Sequence, residues 1–124
     1  MKRITVLLAE DHTIVREGFR KMLELEDDIE IVGEVADESQ ISETVRKTMP
    51  HFVVIALDQP GRRPLICDVL LREHPDVHVI AVAPEKNFIV YYWASLQIHS
   101  NDIEASEEGI LSAMRNKLMA NGAN

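Results

Sequence analysis

The chain is poor in the features that would make its function easy to read. It has one cysteine, Cys67, so it can form no internal disulfide, and its thiol fits a reducing compartment, the cytoplasm. No stretch approaches the roughly 20 apolar residues of a membrane span, so a membrane is not an expected partner. The first apolar run, Ile4 to Ala9, is too short for a signal peptide and is followed at once by acids. Basic residues are scarce: 13 Lys and Arg stand against 21 Asp and Glu, for a formal net charge of −8. That balance argues against nucleic-acid binding by this domain, because phosphate binding needs clustered cations. There is no glycine-rich phosphate cradle. The five histidines, at 12, 51, 74, 78 and 99, show no metal-ligand spacing and read as surface or helix-end residues.

What is present is an ordinary folding pattern. With 124 residues and 46% hydrophobic composition, the chain can bury a single core. Residues 1–120 read as one domain and 121–124 as a frayed tail. Three continuous apolar runs, Ile4–Ala9, Phe52–Leu57 and Val77–Val82, suit strands covered on both faces. Ile29–Val35 alternates and reads as a half-exposed strand. Between them lie helical patterns: Asp11–Leu25, with Ile14, Val15, Gly18, Phe19, Met22 and Leu23 on one stripe; Asp37–Met49; and Arg63–His74. Ser106–Ala120 is a last helix, with Ile110, Leu111, Met114 and Leu118 as its apolar face. This alternation implies an α/β fold with one parallel sheet and helices on both sides.

The segment Phe88–Ala94 (FIVYYWA) pulls two ways. Its composition favours a strand, whereas the topology of a βαβ unit favours a short helix; we expect the helix, with a fifth edge strand near Leu96–His99. Phe88, Tyr91, Tyr92 and Trp93 hold four of the six aromatic residues. A helix apolar all round must bury its outer side too, so these residues are expected to form an interface with a protein partner or a second copy.

The opening RITVLLAEDHTIVREGFRKMLE, followed by DIEIVGEVAD, resembles the receiver domain of bacterial two-component response regulators. It is nearest to the subgroup that often carries a C-terminal helix-turn-helix. The resemblance runs over Lys2–Gly61 and Pro64–Val82, weakens over Ala83–Ser106 and returns in EEGILSAMRNK. It implies a doubly wound, five-stranded parallel sheet of flavodoxin-like (CheY-like) order, a three-layer sandwich with its site at the carboxyl ends of the strands. It also implies a pocket of five groups: two acids that help hold Mg²⁺, an aspartate that accepts a phosphoryl group, a Ser or Thr, and a lysine.

The acid pair is present as Glu10 and Asp11, which alone also suits a solvated first helical turn. A metal would need more oxygen ligands than these two supply, so no cofactor is expected, with Mg²⁺ held by Glu10 and Asp11 as the alternative. By the resemblance, the acceptor lies six residues after a proline and four before a Pro–Gly pair. Pro50 and Pro60–Gly61 both place it at Ala56. A shifted register would use Asp58, whose side chain shares a strand face with residue 56; the alternative is that Asp58 opens the DQPG turn. The hydroxyl position falls on Ala83 and the lysine position near Ile103, with no lysine between Lys86 and Lys117. Cys67 reads as a small buried hydrophobe. Arg62 and Arg63 read as solvated loop charges or as partners of the acid pair. The resemblance, with acceptor, hydroxyl and lysine all missing, implies a degenerate receiver. It would be a non-enzymatic signalling module that binds a protein partner or itself, most simply as a homodimer, without phosphorylation. The alternatives are a phosphorylatable receiver using Asp58, and the N-terminal part of a longer DNA-binding regulator.

Overall fold

A computed structural model describes residues 3–59, 61–95 and 102–122, with side chains in the last helix as far as Arg115. The chain runs β1 (Ile4–Ala9), α1 (Thr13–Glu24), β2 (Ile29–Glu34), α2 (Ile41–Thr48), β3 (Phe52–Ala56), α3 (Leu65–Glu73), β4 (His78–Ala83), β5 (Phe88–Tyr92) and α4 (Glu107–Gly122). One sheet joins the strands in the order β2-β1-β3-β4-β5. The first four strands pair in parallel.

The solid apolar runs have the cause that the sequence suggested. Along β1, Val6 and Leu8 face one layer while Leu7 and Ala9 face the other, and all four are buried. In β3, Val54 shares the first layer and Val53 and Ile55 the second. Helix α1 covers the first layer with Phe19 and Leu23. Helices α2 and α3 cover the second with Ile41, Val45, Cys67 and Leu70. A strand in the middle of such a sandwich has no wet face, so alternation disappears. Burial also pushes the Cys67 thiol up to about 11, so it behaves as a small hydrophobe rather than a nucleophile. Gly33 sits where the β1–β2 register shifts; a Cβ there would lie 3.1 Å from Leu7 Cδ1.

The expectation for Phe88–Ala94 is overturned. Phe88–Tyr92 is a strand and pairs antiparallel with β4, from Ala83 opposite Phe88 to Val79 opposite Tyr92. The sheet is therefore mostly, not wholly, parallel. The cause is the connection. Only Pro84 to Asn87 separate the two strands: a 3₁₀ turn over Pro84–Lys86, then Asn87 in the left-handed region at φ 52°. Four residues cannot hold a crossover helix, but a tight turn closed by a left-handed Asn reverses the chain. With β5 supplied by Phe88–Tyr92, the segment Leu96–His99, where the fifth strand is expected, lies outside the described residues.

Two expected helical faces are less buried than their spacing suggests. Ile14 and Met22 of α1 are exposed, as are Ile110, Leu111 and Met114 of α4. The residues expected as a frayed tail are partly helical, since α4 includes Asn121 and Gly122. Among the described residues, no helix is long and apolar enough to cross a membrane.

Candidate functional site

The site expected at the carboxyl ends of the parallel strands exists as a cavity of about 100 Å³. Ala9 ends β1 and Ala56 ends β3, and both line it; so do Ala36 after β2, Ile41 at the start of α2, and Pro64 and Ile66 at the start of α3. Three carboxylate residues join them: Asp11, Glu38 and Asp58. The Ala56 methyl thus lies in an acid-ringed cavity.

Asp58 lines this cavity as well, and it does not open the turn. The Leu57 amide donates to the Val82 carbonyl at 2.9 Å, carrying the β3–β4 ladder one residue past Ala56. Leu57 is buried in the core, so residues 56 and 58 keep the same side. The turn begins one residue later: the Arg62 amide donates to the Gln59 carbonyl at 3.1 Å, and Gly61 takes φ 87°.

Glu10 behaves differently from Asp11. It is 1% exposed, the only buried charged residue among those described, and it does not line the cavity. Its Oε1 contacts His12 Nδ1 at 2.6 Å and accepts from the His12 amide at 3.1 Å. Its Oε2 is buried without a partner. Burial pushes the Glu10 carboxyl up, and the hydrogen bonds from His12 pull it back. The His12 imidazole is pushed up first by its bond to Glu10 and then by the Asp11 charge, whose Oδ1 lies 3.1 Å from Nδ1. Spacing alone marked His12 only as a helix-end residue. The legible signal is its place two residues after Glu10, at the N-cap of α1; the burial of that acid is not legible.

For a cation, the Glu10, Asp11 and His12 ligand atoms lie within 4.8 Å of one another. A hard ion such as Mg²⁺ wants six oxygens in near-octahedral array. Here one Glu10 oxygen is already engaged by an imidazole and position 56 supplies no carboxylate, so the fit is poor.

The other expected members do not gather here. Ala83 ends β4 fully buried in the layer beneath α2 and α3. Ile103 is exposed beside the start of α4, near Glu108 and Ser112. Among the described residues, the cavity lining holds no Ser, Thr or Lys. Arg63 does not reach the acid pair; it is bound to Asp68 of α3. Arg62 lines a neighbouring depression with Asp58 and Arg63. The cation beside the acids is Arg16, which donates to the Glu10 carbonyl at 2.9 Å and pairs with Glu34 at 3.4 Å.

The aromatic residues occupy both sides of β5. Val90 and Tyr92 pack toward α3. On the opposite side, Phe52, His78, Tyr91 and Trp93 form a row, with Tyr91 and Trp93 ring centroids 5.3 Å apart and the Tyr91 hydroxyl bonded to His78.

No protein-family model matches the chain. It is 35% identical over 80 residues to the response regulator GacA of Pseudomonas protegens, covering 64% of this chain and 38% of that protein. It is 28% identical over 91 residues to the transcriptional regulatory protein RcsB of Escherichia coli, covering 70% of this chain and 42% of that one. Among solved structures, it matches the isolated REC domain of RcsB from Salmonella enterica serovar Typhimurium, in the presence of phosphomimetic BeF₃⁻. The TM-score is 0.57 at 27% identity, over 64% of this chain and 61% of that one. The chain spans less than half the length of the curated relatives it matches. In sequence and in fold, the chain is a relative of the receiver domains of response regulators.

Proposed function

We propose that this chain is a receiver-type module of two-component signalling that binds protein partners without being phosphorylated. The observation that carries this reading is Ala56. It ends β3 and lines the cavity beside Asp11, where the resemblance puts the nucleophilic aspartate. A methyl group has no lone pair to attack phosphorus. Among the described residues, the cavity lining offers no lysine, arginine or hydroxyl to neutralise charge on a transferred group. The buried acid behind the cavity would then serve structure: Glu10 and His12 tie the end of β1 to the start of α1. Partner binding would use the β5 side, where Phe88, Tyr91 and Trp93 are exposed. Fluorine NMR with beryllofluoride and Mg²⁺ tests the reading: no bound-fluoride signal is expected, and a signal that disappears in Asp58→Asn would overturn it.

One observation favours a second reading. Asp58 lines the same cavity as Ala56, so a carboxylate does stand near the expected nucleophile's place. It would have to act from an exposed position just before the turn. A third reading rests on the relatives. Solved matches include an RcsB–DNA complex, and this chain spans 42% of that one; DNA binding by a further domain of a longer protein would follow the same plan.

A further inference from the structure

We infer that β5 is a self-pairing edge, through which two copies of this chain join antiparallel into one continuous ten-stranded sheet. The inference rests on the reading of the chain as an interaction module and names its partner, a second copy.

Strand β5 is the last in the sheet, and among the described residues nothing pairs with its outer side. Such an edge presents unpaired amides and carbonyls, and natural edges are normally blunted by charge, proline or a bulge. Here FIVYYWAS, from Phe88 to Ser95, has no charge and no proline. Ile89 is 64% exposed and Trp93 59%, on a chain whose net charge is −8. The edge is therefore a neutral window through which two acidic molecules can meet.

The order of residues fits a two-fold axis at Val90. Antiparallel pairing about that point sets Ile89 of one copy opposite Tyr91 of the other, and Phe88 opposite Tyr92. Both pairs are of the aromatic and β-branched kinds that stabilise neighbouring strands. The axis stands perpendicular to the sheet, so the two α1 layers fall on the same side. On that side Trp93 of one copy comes beside Asn87 of the other. Asn87 stands on the rim of an apolar groove of about 380 Å³, lined by Val15, Phe19, Met22, Pro84 and Ile89. The exposed indole thus meets an open apolar groove, twice across the axis.

The area sets the strength. Four side chains of about 200 Å² each, roughly half exposed, give about 400 Å² per chain, half of a standard interface. The expected dimer is concentration-dependent, with a Kd of roughly 10–100 µM. Because the two copies are like-charged, it tightens as salt rises from about 0.05 to about 0.5 M.

Sedimentation equilibrium on the full chain, with and without beryllofluoride and Mg²⁺, tests this. Ile89→Lys is expected to weaken the dimer by roughly tenfold, because each copy loses one cross-strand pair and gains an edge charge. Cysteine cross-linking checks the register without depending on that variant. Mixed Ile89→Cys and Tyr91→Cys proteins should form a disulfide between copies, and either alone should not; buried Cys67 stays silent. A monomer at all concentrations, a dimer unmoved by Ile89→Lys, or cross-links between like positions would overturn the pairing. Dimerisation seen only with beryllofluoride would leave the pairing intact and overturn phosphorylation independence instead.

Discussion

Residues 4–83 and residues 84–122 obey different rules. In the first stretch, four parallel strands share two buried layers, and Leu7, Val53, Leu70 and Val79 are fully enclosed. In the second, β5 leaves Ile89 and Trp93 open, and α4 leaves Ile110 and Met114 exposed. No described residue beyond Ala83 is buried. The first stretch holds the parallel part of the sheet and the cavity at its carboxyl end. In the second, a tight reversal stands where a crossover helix is expected from the βαβ pattern. The contrast teaches that a sheet can bury its centre on both faces while its last strand and last helix stay open to solvent.

The largest effect should come from truncating the core of the first stretch. Leu7→Ala or Leu70→Ala removes a fully buried side chain and should cost about 2–5 kcal/mol of unfolding free energy in urea titrations. An effect no larger than that of a surface change would break the contrast.

A smaller effect should appear with pH. His12 has a folded pKa above its ordinary 6.5, chiefly through Glu10, so its stabilisation is present below that value. It is lost as pH rises through the folded pKa. Glu10, raised by burial, works in the same direction, because its ionised form is the less favourable one in the fold. Melting temperature should therefore fall as pH rises above about 6.5, and His12→Asn should flatten that slope. A slope unchanged in the variant would place the titration elsewhere.

The smallest effect should come from α4. Met114 is 65% exposed, so Met114→Ala should change stability by no more than about 0.5 kcal/mol. Hydrogen exchange sharpens the same contrast: amides of β1 and β3 should outlast those of α4.

Much of the first stretch was legible in the sequence, because solid apolar runs and helical stripes report burial directly. β1 runs Ile4–Ala9 as its sequence suggests, and Cys67 proved a buried hydrophobe. The Phe88–Ala94 segment misled for a definite reason. Its composition is that of a strand, but the βαβ alternation of the preceding segments favours a helix there. Asn87, a residue tolerant of the left-handed turn that reverses the chain, was the overlooked sign. At the site, spacing put Ala56 in the cavity but could not show that Asp58 faces it too, since that depends on one ladder bond from Leu57. Nor could it show that His12, not an arginine, engages the buried acid side chain.

The central claim is that a methyl group has replaced the phosphoryl acceptor. Intact-mass measurement of the full chain after incubation with acetyl phosphate and Mg²⁺ tests it most directly. The account predicts an unchanged mass. A gain of one phosphoryl group, mapped to Asp58 and lost in Asp58→Asn, would contradict it.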